Sequence, residues 1–177
     1  MFKFLRQDDD IQVIRYFTAL VDGKSCNKQK QYLRSLNTCS NIDITLGKFK
    51  KRELTCRVQS CTYQGSRIYK SMEEKRTDVA IAIQILDDAY QDLADRFVII
   101  SGDSDLIPAI EVLKQRFPEK QVIVYVPAKN KIRGQATELR SAADKDRTLP
   151  LDLIKRCQFP HTVKTLDGQE IEKPEGW

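Results

Sequence analysis

Layered α/β, with strands and helices alternating around a mostly parallel sheet, is the fold class this chain predicts, and three stretches carry the prediction. Phe97-Val98-Ile99-Ile100 is a short apolar, β-branched run that reads as a strand buried on both faces. It ends in Ser101-Gly102-Asp103-Ser104-Asp105 and opens onto a helical apolar pattern at Leu106, Ile107, Ile110 and Leu113. Upstream, Val79, Ile83, Leu86 and Tyr90 follow helical spacing with further apolar residues between them, so that helix is expected to be buried on more than one side. Val122 to Val126 supplies another strand, and such alternation argues for α/β layers.

The remaining elements follow in order. Residues 1 to 6 read as the end of a helix and Ile11 to Leu20 as a strand. Gln29 to Leu36 reads as a helix, with a short strand at Ile42-Asp43-Ile44 after it. Residues 46 to 71 form a long basic loop or hairpin that could carry substrate contacts. A helix from 77 to 91 is expected, with Thr77 as its N-cap and Asp78 in its first turn, where the helix dipole favours an anion. The strand at 97–101, a helix at 105–116 and the strand Val122 to Val126 come next. Thr137 to Ala143 predicts a short helix, and Leu151 to Ile154 a closing element. Residues 1–155 thus form one domain, and 156–177 a C-terminal extension along its edge. No internal repeat is visible.

Composition bounds the possibilities. A chain of 177 residues with 41% hydrophobic and 31% charged residues suits one domain with a real core rather than disorder. Its longest apolar stretch is too short for a bilayer and its N-terminus lacks the extended apolar region of a signal peptide, so a cytoplasmic location is expected, with no membrane partner. Cys26, Cys39, Cys56, Cys61 and Cys157 would then be reduced. Cys56 and Cys61 have a spacing compatible with zinc, but no second pair is local and the single histidine, His161, lies far off; most of these cysteines read as small buried hydrophobes.

Asp103 and Asp105 stand at the carboxyl end of a strand, where ligands collect in open α/β sheets. Two carboxylates this close repel unless a cation stands between them, and hard oxygen donors suit Mg²⁺ or Mn²⁺. The alternative is a polar strand-to-helix turn in which one of them caps the helix. Asp78 has a structural reason too, and Glu74 comes within its reach if the helix begins early. Thirty Lys plus Arg against 25 Asp plus Glu leave a net charge of +5. The positive residues cluster at Lys48, Lys50, Lys51, Arg52 and Arg57, and again at Lys129, Lys131 and Arg133. Phosphates could line such patches, while Phe49, Tyr63 and Tyr69 could stack on unpaired bases; the alternative is a solvated basic loop.

The stretches EEKRTDVAIAIQILDDAYQD and FVIISGDSDLIPAI, followed by QVIVYVPAK and ELRSAADKDRTLP, resemble the NYN domain, a branch of the PIN-like nucleases. The resemblance covers most of residues 10 to 150, and the ordered pair of TDV and SGDSDL is its specific part. It implies a three-layer α/β/α sandwich with a mostly parallel central sheet. It further implies an acidic cluster holding Mg²⁺ or Mn²⁺ and hydrolysis of RNA. Asp78, Asp103 and Asp105 match the acids credited with the metal.

One part departs from the family pattern. NYN domains open near the initiator Met with a buried strand ending in an aspartate, followed by glycine and asparagine. Met1 to Asp10 instead resembles the end of the family's first helix, and Ile11 to Leu20 its second strand. That alignment puts the first strand and its acid upstream of Met1. Leu20-Val21-Asp22-Gly23 looks similar, but its neighbours fit the second strand and helix better; Asp22 is therefore a substitute acid only. Loss of a central strand would leave two neighbours unpaired, to be met by a rearranged sheet, by self-association or a strand-supplying partner, or by a longer chain. A chain extended through such a strand is expected to melt higher and cleave faster. The function so read is a divalent-metal-dependent ribonuclease acting on single-stranded RNA. The alternative is a catalytically impaired RNA-binding or protein-interaction module.

Overall fold

The computed structural model describes residues 1, 6–21, 24–127 and 136–176. Strand β1 (Ile14–Thr18) leads through helix α1 (Lys24–Leu36) to β2 (Ile42–Leu46), and the two strands pair in parallel with Ile14 opposite Ile42 and Thr18 opposite Leu46. An antiparallel hairpin follows, β3 (Lys48–Thr55) and β4 (Ile68–Lys75), and runs almost directly into α2 (Thr77–Tyr90). Then come β5 (Arg96–Ile100), a 3₁₀ turn at Ser104–Leu106, α3 (Ile107–Arg116), β6 (Gln121–Pro127), α4 (Thr137–Ala142), β7 (Lys145–Leu149) and α5 (Leu151–Arg156). Strands β5, β6 and β7 form a parallel sheet in that order. The chain ends in a short antiparallel hairpin, β8 (Thr162–Lys164) and β9 (Glu170–Glu172), whose Ile171 is buried; Arg34 of α1 bonds Gln169 beside it.

The core sits on β6, the one strand of its sheet with a neighbour on each edge. Val122, Val124 and Val126 face an apolar cluster with Ile85 and Ala89 of α2, Ile99 of β5, Leu106, Ile110 and Leu113 around α3, and Leu139 of α4. Ile123 and Tyr125 face the other way, with Leu149, Val98, Ile100 and Ile154. A strand covered on both faces takes a continuous apolar run, which is why this segment stood out in the sequence. Strand β7 did not stand out, because Lys145-Asp146-Arg147 makes it polar, as suits a solvated edge strand.

Two expectations are corrected. The parallel strands do not form one ladder: β1–β2 and β5–β6–β7 are separate hydrogen-bonded units. Helix α2 is not buried on more than one side either. Ile85, Asp88 and Ala89 are buried, whereas Val79, Ile83 and Tyr90 are each more than 60% exposed, because among the described residues α2 is covered on one face only.

The two units are joined through that covered face. Arg15 of β1 forks onto Asp88 of α2, with Nε 3.1 Å from one carboxylate oxygen and Nη2 2.7 Å from the other, and the Gln84 amide donates to the same carboxylate at 2.7 Å. Asp43 of β2 takes another nitrogen of Arg15. The hydrogen bonds that Arg15 donates to Asp88 raise its pKa above the usual value despite burial, so the guanidinium is a permanent charge here. One turn of α2 therefore touches both units, Asp88 reaching β1 and Ile85 and Ala89 reaching β5.

Asp88→Ala is expected to leave Arg15 half-buried without its main partner and to cost about 2–3 kcal/mol. Urea unfolding gives the loss, and amide exchange should show β1 opening before β6. A second expectation concerns Asp144, which accepts from Lys114 Nζ at 2.8 Å and from the Val122 N–H at 2.8 Å. Burial would raise its pKa, but those two donors outweigh burial and hold it below the usual carboxylate value. Its stabilising contribution is then full at neutral pH and is lost as pH falls through the depressed pKa. Asp144→Asn should thus be less stable than the native chain at pH 7, with the gap closing in acid; thermal melts across pH measure it.

Candidate functional site

Strand β5 ends at Ile100, and the chain turns sharply to start the 3₁₀ segment. Asp103 sits in extended conformation before that turn, and its Oδ1 accepts the Asp105 N–H at 2.9 Å, while the Asp103 N–H donates to Ser101 Oγ at 3.1 Å. Asp103 is thus a cap, as one reading of the sequence held. It is also part of a cluster. Asp78 lies on the first turn of α2, and one carboxylate oxygen from each of Asp78, Asp103 and Asp105 falls within 4.8 Å of the other two. All three are exposed, so the cluster opens to solvent. Among the described residues this is the grouping of acids, cysteines or histidines close enough to share an ion, and Cys56 and Cys61 take no part in one.

Electrostatics mark the same place. Burial, then the charges of Asp103, Asp105 and Glu74, push the Asp78 carboxyl above its usual pKa. Among the described residues no lysine or arginine forms an ion pair with these three acids. Repulsion of this kind is what a cation relieves. Six oxygen ligands at about 2.1 Å from Mg²⁺ or Mn²⁺ stand roughly 3–4 Å from one another, so small side-chain adjustments would close the cluster onto one ion. The donor set fits a hard divalent cation.

Local chain geometry brings Asp78 to this point. Thr77 does not cap α2 as expected: Arg76 holds the N-cap position in left-handed conformation (φ 79°), with no side-chain capping bond. The Thr77 hydroxyl instead donates to Glu74 Oε1 at 2.5 Å. Glu74 is the last but one residue of β4 rather than part of an early helix, and it acts on Asp78 through charge. Gly47, between β2 and β3, was not singled out in the sequence. A Cβ there would collide with Thr77 Oγ1 and lie 3.1 Å from the Lys75 carbonyl, so the ends of β2, β4 and α2 meet where only glycine fits.

The basic residues divide by strand alternation. Lys48, Lys50 and Arg52 project from one face of β3, together with Lys75, Glu73 and Ser71 across the hairpin. Lys51 projects from the other face with Phe49 and stands opposite Met72. Glu73 draws off part of the positive face, lying 2.5 Å from Lys75 Nζ and 3.7 Å from Arg52. Tyr69, opposite Leu54, and Tyr63 near the hairpin tip are exposed. The five cysteines are unpaired and half-buried rather than buried. Lys129, Lys131, Arg133 and Asp22 lie outside the described residues.

The description "NYN domain" belongs to the family model that matches residues 1–152. The chain belongs to the NYN family. The NYN match spans the strand-helix alternation and all three clustered acids. Among curated proteins the chain is similar to 6-hydroxy-3-succinoylpyridine 3-monooxygenase HspA of Pseudomonas putida, 28% identical over 93% of this chain and 57% of that protein. The chain thus spans little more than half the length of that relative. No solved structure matches it.

For this NYN domain the crowding at Gly47 makes a direct test. Gly47→Ala is expected to displace Thr77 and the first turn of α2, at a cost of about 1–3 kcal/mol. Adding Thr77→Ala removes the obstructing hydroxyl and should recover part of that loss in urea titrations.

Proposed function

We propose that this NYN protein is a divalent-metal-dependent ribonuclease that hydrolyses phosphodiester bonds in single-stranded RNA. The observation that carries the reading is the convergence of Asp78, Asp103 and Asp105 at the carboxyl end of β5 in a chain of a nuclease-like family. Asp78, Asp103 and Asp105 would hold Mg²⁺ or Mn²⁺. Held there, the ion would polarise a phosphate oxygen as a Lewis acid and lower the pKa of a coordinated water, making hydroxide available as the nucleophile. Asp103 is fixed by its bond to the Asp105 N–H, which keeps two of the ligands in register without a cost at binding. The Lys48, Lys50 and Arg52 face of the hairpin, which leads straight into α2, would hold the RNA backbone, and Tyr69 and Tyr63 offer rings for unstacked bases. A three-layer α/β/α arrangement would accommodate this site at the carboxyl end of β5. The oxygenation named for the Pseudomonas relative belongs to a longer protein, and its reaction is not carried over to this chain.

A Mn²⁺ or Mg²⁺ titration against labelled single-stranded RNA tests the proposal. Asp103→Asn keeps an acceptor for the Asp105 N–H but removes one charge, so folding should persist while metal-dependent cleavage falls at least about 100-fold. Binding of RNA without cleavage at any metal concentration would leave an RNA-binding module instead. Because burial and the neighbouring acids raise the Asp78 carboxyl above the usual aspartate value, Mn²⁺ affinity should begin to weaken at a higher pH than it would for an ordinary aspartate as the solution is acidified. Charge reversal at Lys50 and Lys51 should lower RNA affinity and flatten its salt dependence while leaving Mn²⁺ binding alone. An unaltered salt slope would make the hairpin a solvated surface.

A further inference from the structure

The hairpin of β3 and β4 stands apart from both parallel units, and among the described residues its two strands pair only with each other. Two strands alone are marginally stable in water, and further strands are what such a ribbon ordinarily needs. One bond shows which of its backbone groups face outward. The Cys56 N–H donates to the Arg67 carbonyl at 2.8 Å, so Arg67 belongs to a pair that bonds across the hairpin. Antiparallel pairs alternate, so Tyr69, Ser71, Glu73 and Lys75 bond inward, while Lys70, Met72 and Glu74 turn their N–H and C=O groups away from β3. Those outward groups make no hydrogen bond among the described residues. Side chains on the strand are open too, Tyr69 being 54% and Met72 41% exposed.

The charges along β4 choose an occupant for that edge. A strand that pairs antiparallel with its own copy across a two-fold axis brings together residues equally far on either side of the axis. With the axis at Met72, Lys70 of each copy meets Glu74 of the other, Ser71 meets Glu73, and Tyr69 lies against Lys75. Moving the axis by one residue loses both ion pairs. At Ser71 it sets Arg67 against Lys75, and at Glu73 it sets that carboxylate against itself. Strand β3 has no equivalent, since an axis anywhere from Lys48 to Glu53 brings like charges together.

We propose that β4 is a self-association edge, through which two copies of this chain pair antiparallel about Met72 into one four-stranded sheet. Met72 with Met72, and Lys70 with Glu74, each exchange two backbone hydrogen bonds, which satisfies the outward groups. The Thr77 hydroxyl takes Glu74 Oε1, leaving Oε2 for the lysine of the second copy. Within one chain Lys70 and Glu74 are four strand residues apart, roughly 13 Å, so they reach each other only between copies. The axis is perpendicular to the sheet, and the Lys48, Lys50 and Arg52 faces of both copies therefore lie on one side. The association requires neither RNA nor a metal at the acids.

Sedimentation of the full 177-residue chain over a concentration series should show a monomer–dimer equilibrium. Lys70→Glu and Glu74→Lys each bring like charges together twice per dimer and should weaken association at least about tenfold. Mixing the two variants should yield a heterodimer, because one carries acids at both positions and the other lysines. Met72→Pro removes a donor that points away from β3, so the hairpin keeps its own bonds while association is lost. Amide exchange of the native chain, followed by NMR, should slow with concentration at Lys70, Met72 and Glu74 but not at Phe49, Lys51 and Glu53, which face outward on β3. If a variant fails to fold, that exchange pattern alone decides. The proposal is overturned by a chain that stays monomeric, by a dimer that both charge variants leave unchanged, by mixed variants that do not associate, or by protection on β3 in place of β4.

Discussion

The bond between Arg15 and Asp88 does for this domain what a backbone ladder does for most parallel sheets. Strands β1 and β2 share no hydrogen-bonded edge with β5, β6 and β7, so their placement depends on a planar fork meeting a buried carboxylate on α2. A guanidinium suits the task, since it stays charged under partial burial and fixes orientation through two parallel contacts. Gln84 completes the acceptor demand of Asp88, which leaves the pair satisfied rather than merely adjacent. The helix is consequently a clamp as well as a lid, and the acidic end of the domain inherits its geometry from that clamp.

Much of this was legible in the residues, and the legible parts share a cause. Val122 to Val126 announced itself because a doubly covered strand has no freedom to be polar, and Phe97 to Ile100 was readable as a strand from its apolar, β-branched run, although only Ile99 of it is buried. Asp103 and Asp105 were readable from their place at a strand's end, while Asp78 joined them only through the resemblance to the NYN domain, and the structure brings the three together. Strand β7 was not legible, since its exposed positions carry Lys145, Asp146 and Arg147 and its strand character comes from pairing with β6. The split of the sheet was foreseen only as one outcome of an unpaired edge. The exposed stripe of Val79, Ile83 and Tyr90 ran against a sound rule, that a helix apolar all round is buried all round.

At Asp103 the observed cap and the proposed metal ligand need not compete. A carboxylate has two oxygens, and Asp103 uses Oδ1 on the Asp105 N–H, a contact that holds the turn whatever else occupies the cluster. Basic residues at alternate positions are harder to read. Lys51 looked like one member of a run with Lys50 and Arg52, yet the pleat turns it to the opposite face. Glu73 then offsets the face that remains, a relation between strands that no local window contains.

A single residue, Arg76, separates the long hairpin from α2, and it holds a left-handed backbone that few side chains adopt. Eight-residue arms extend about 27 Å from that pivot. Asp78 stands two residues beyond it on the rigid helix, while Glu74 stands two residues before it on the arm. The Thr77 hydroxyl bonds Glu74 across that pivot, so the base of the arm and the first turn of the helix are tied together on either side of Arg76. That tie also fixes where Glu74 stands as it adds its charge to those of Asp103 and Asp105, which together with burial hold the Asp78 carboxyl above its usual value.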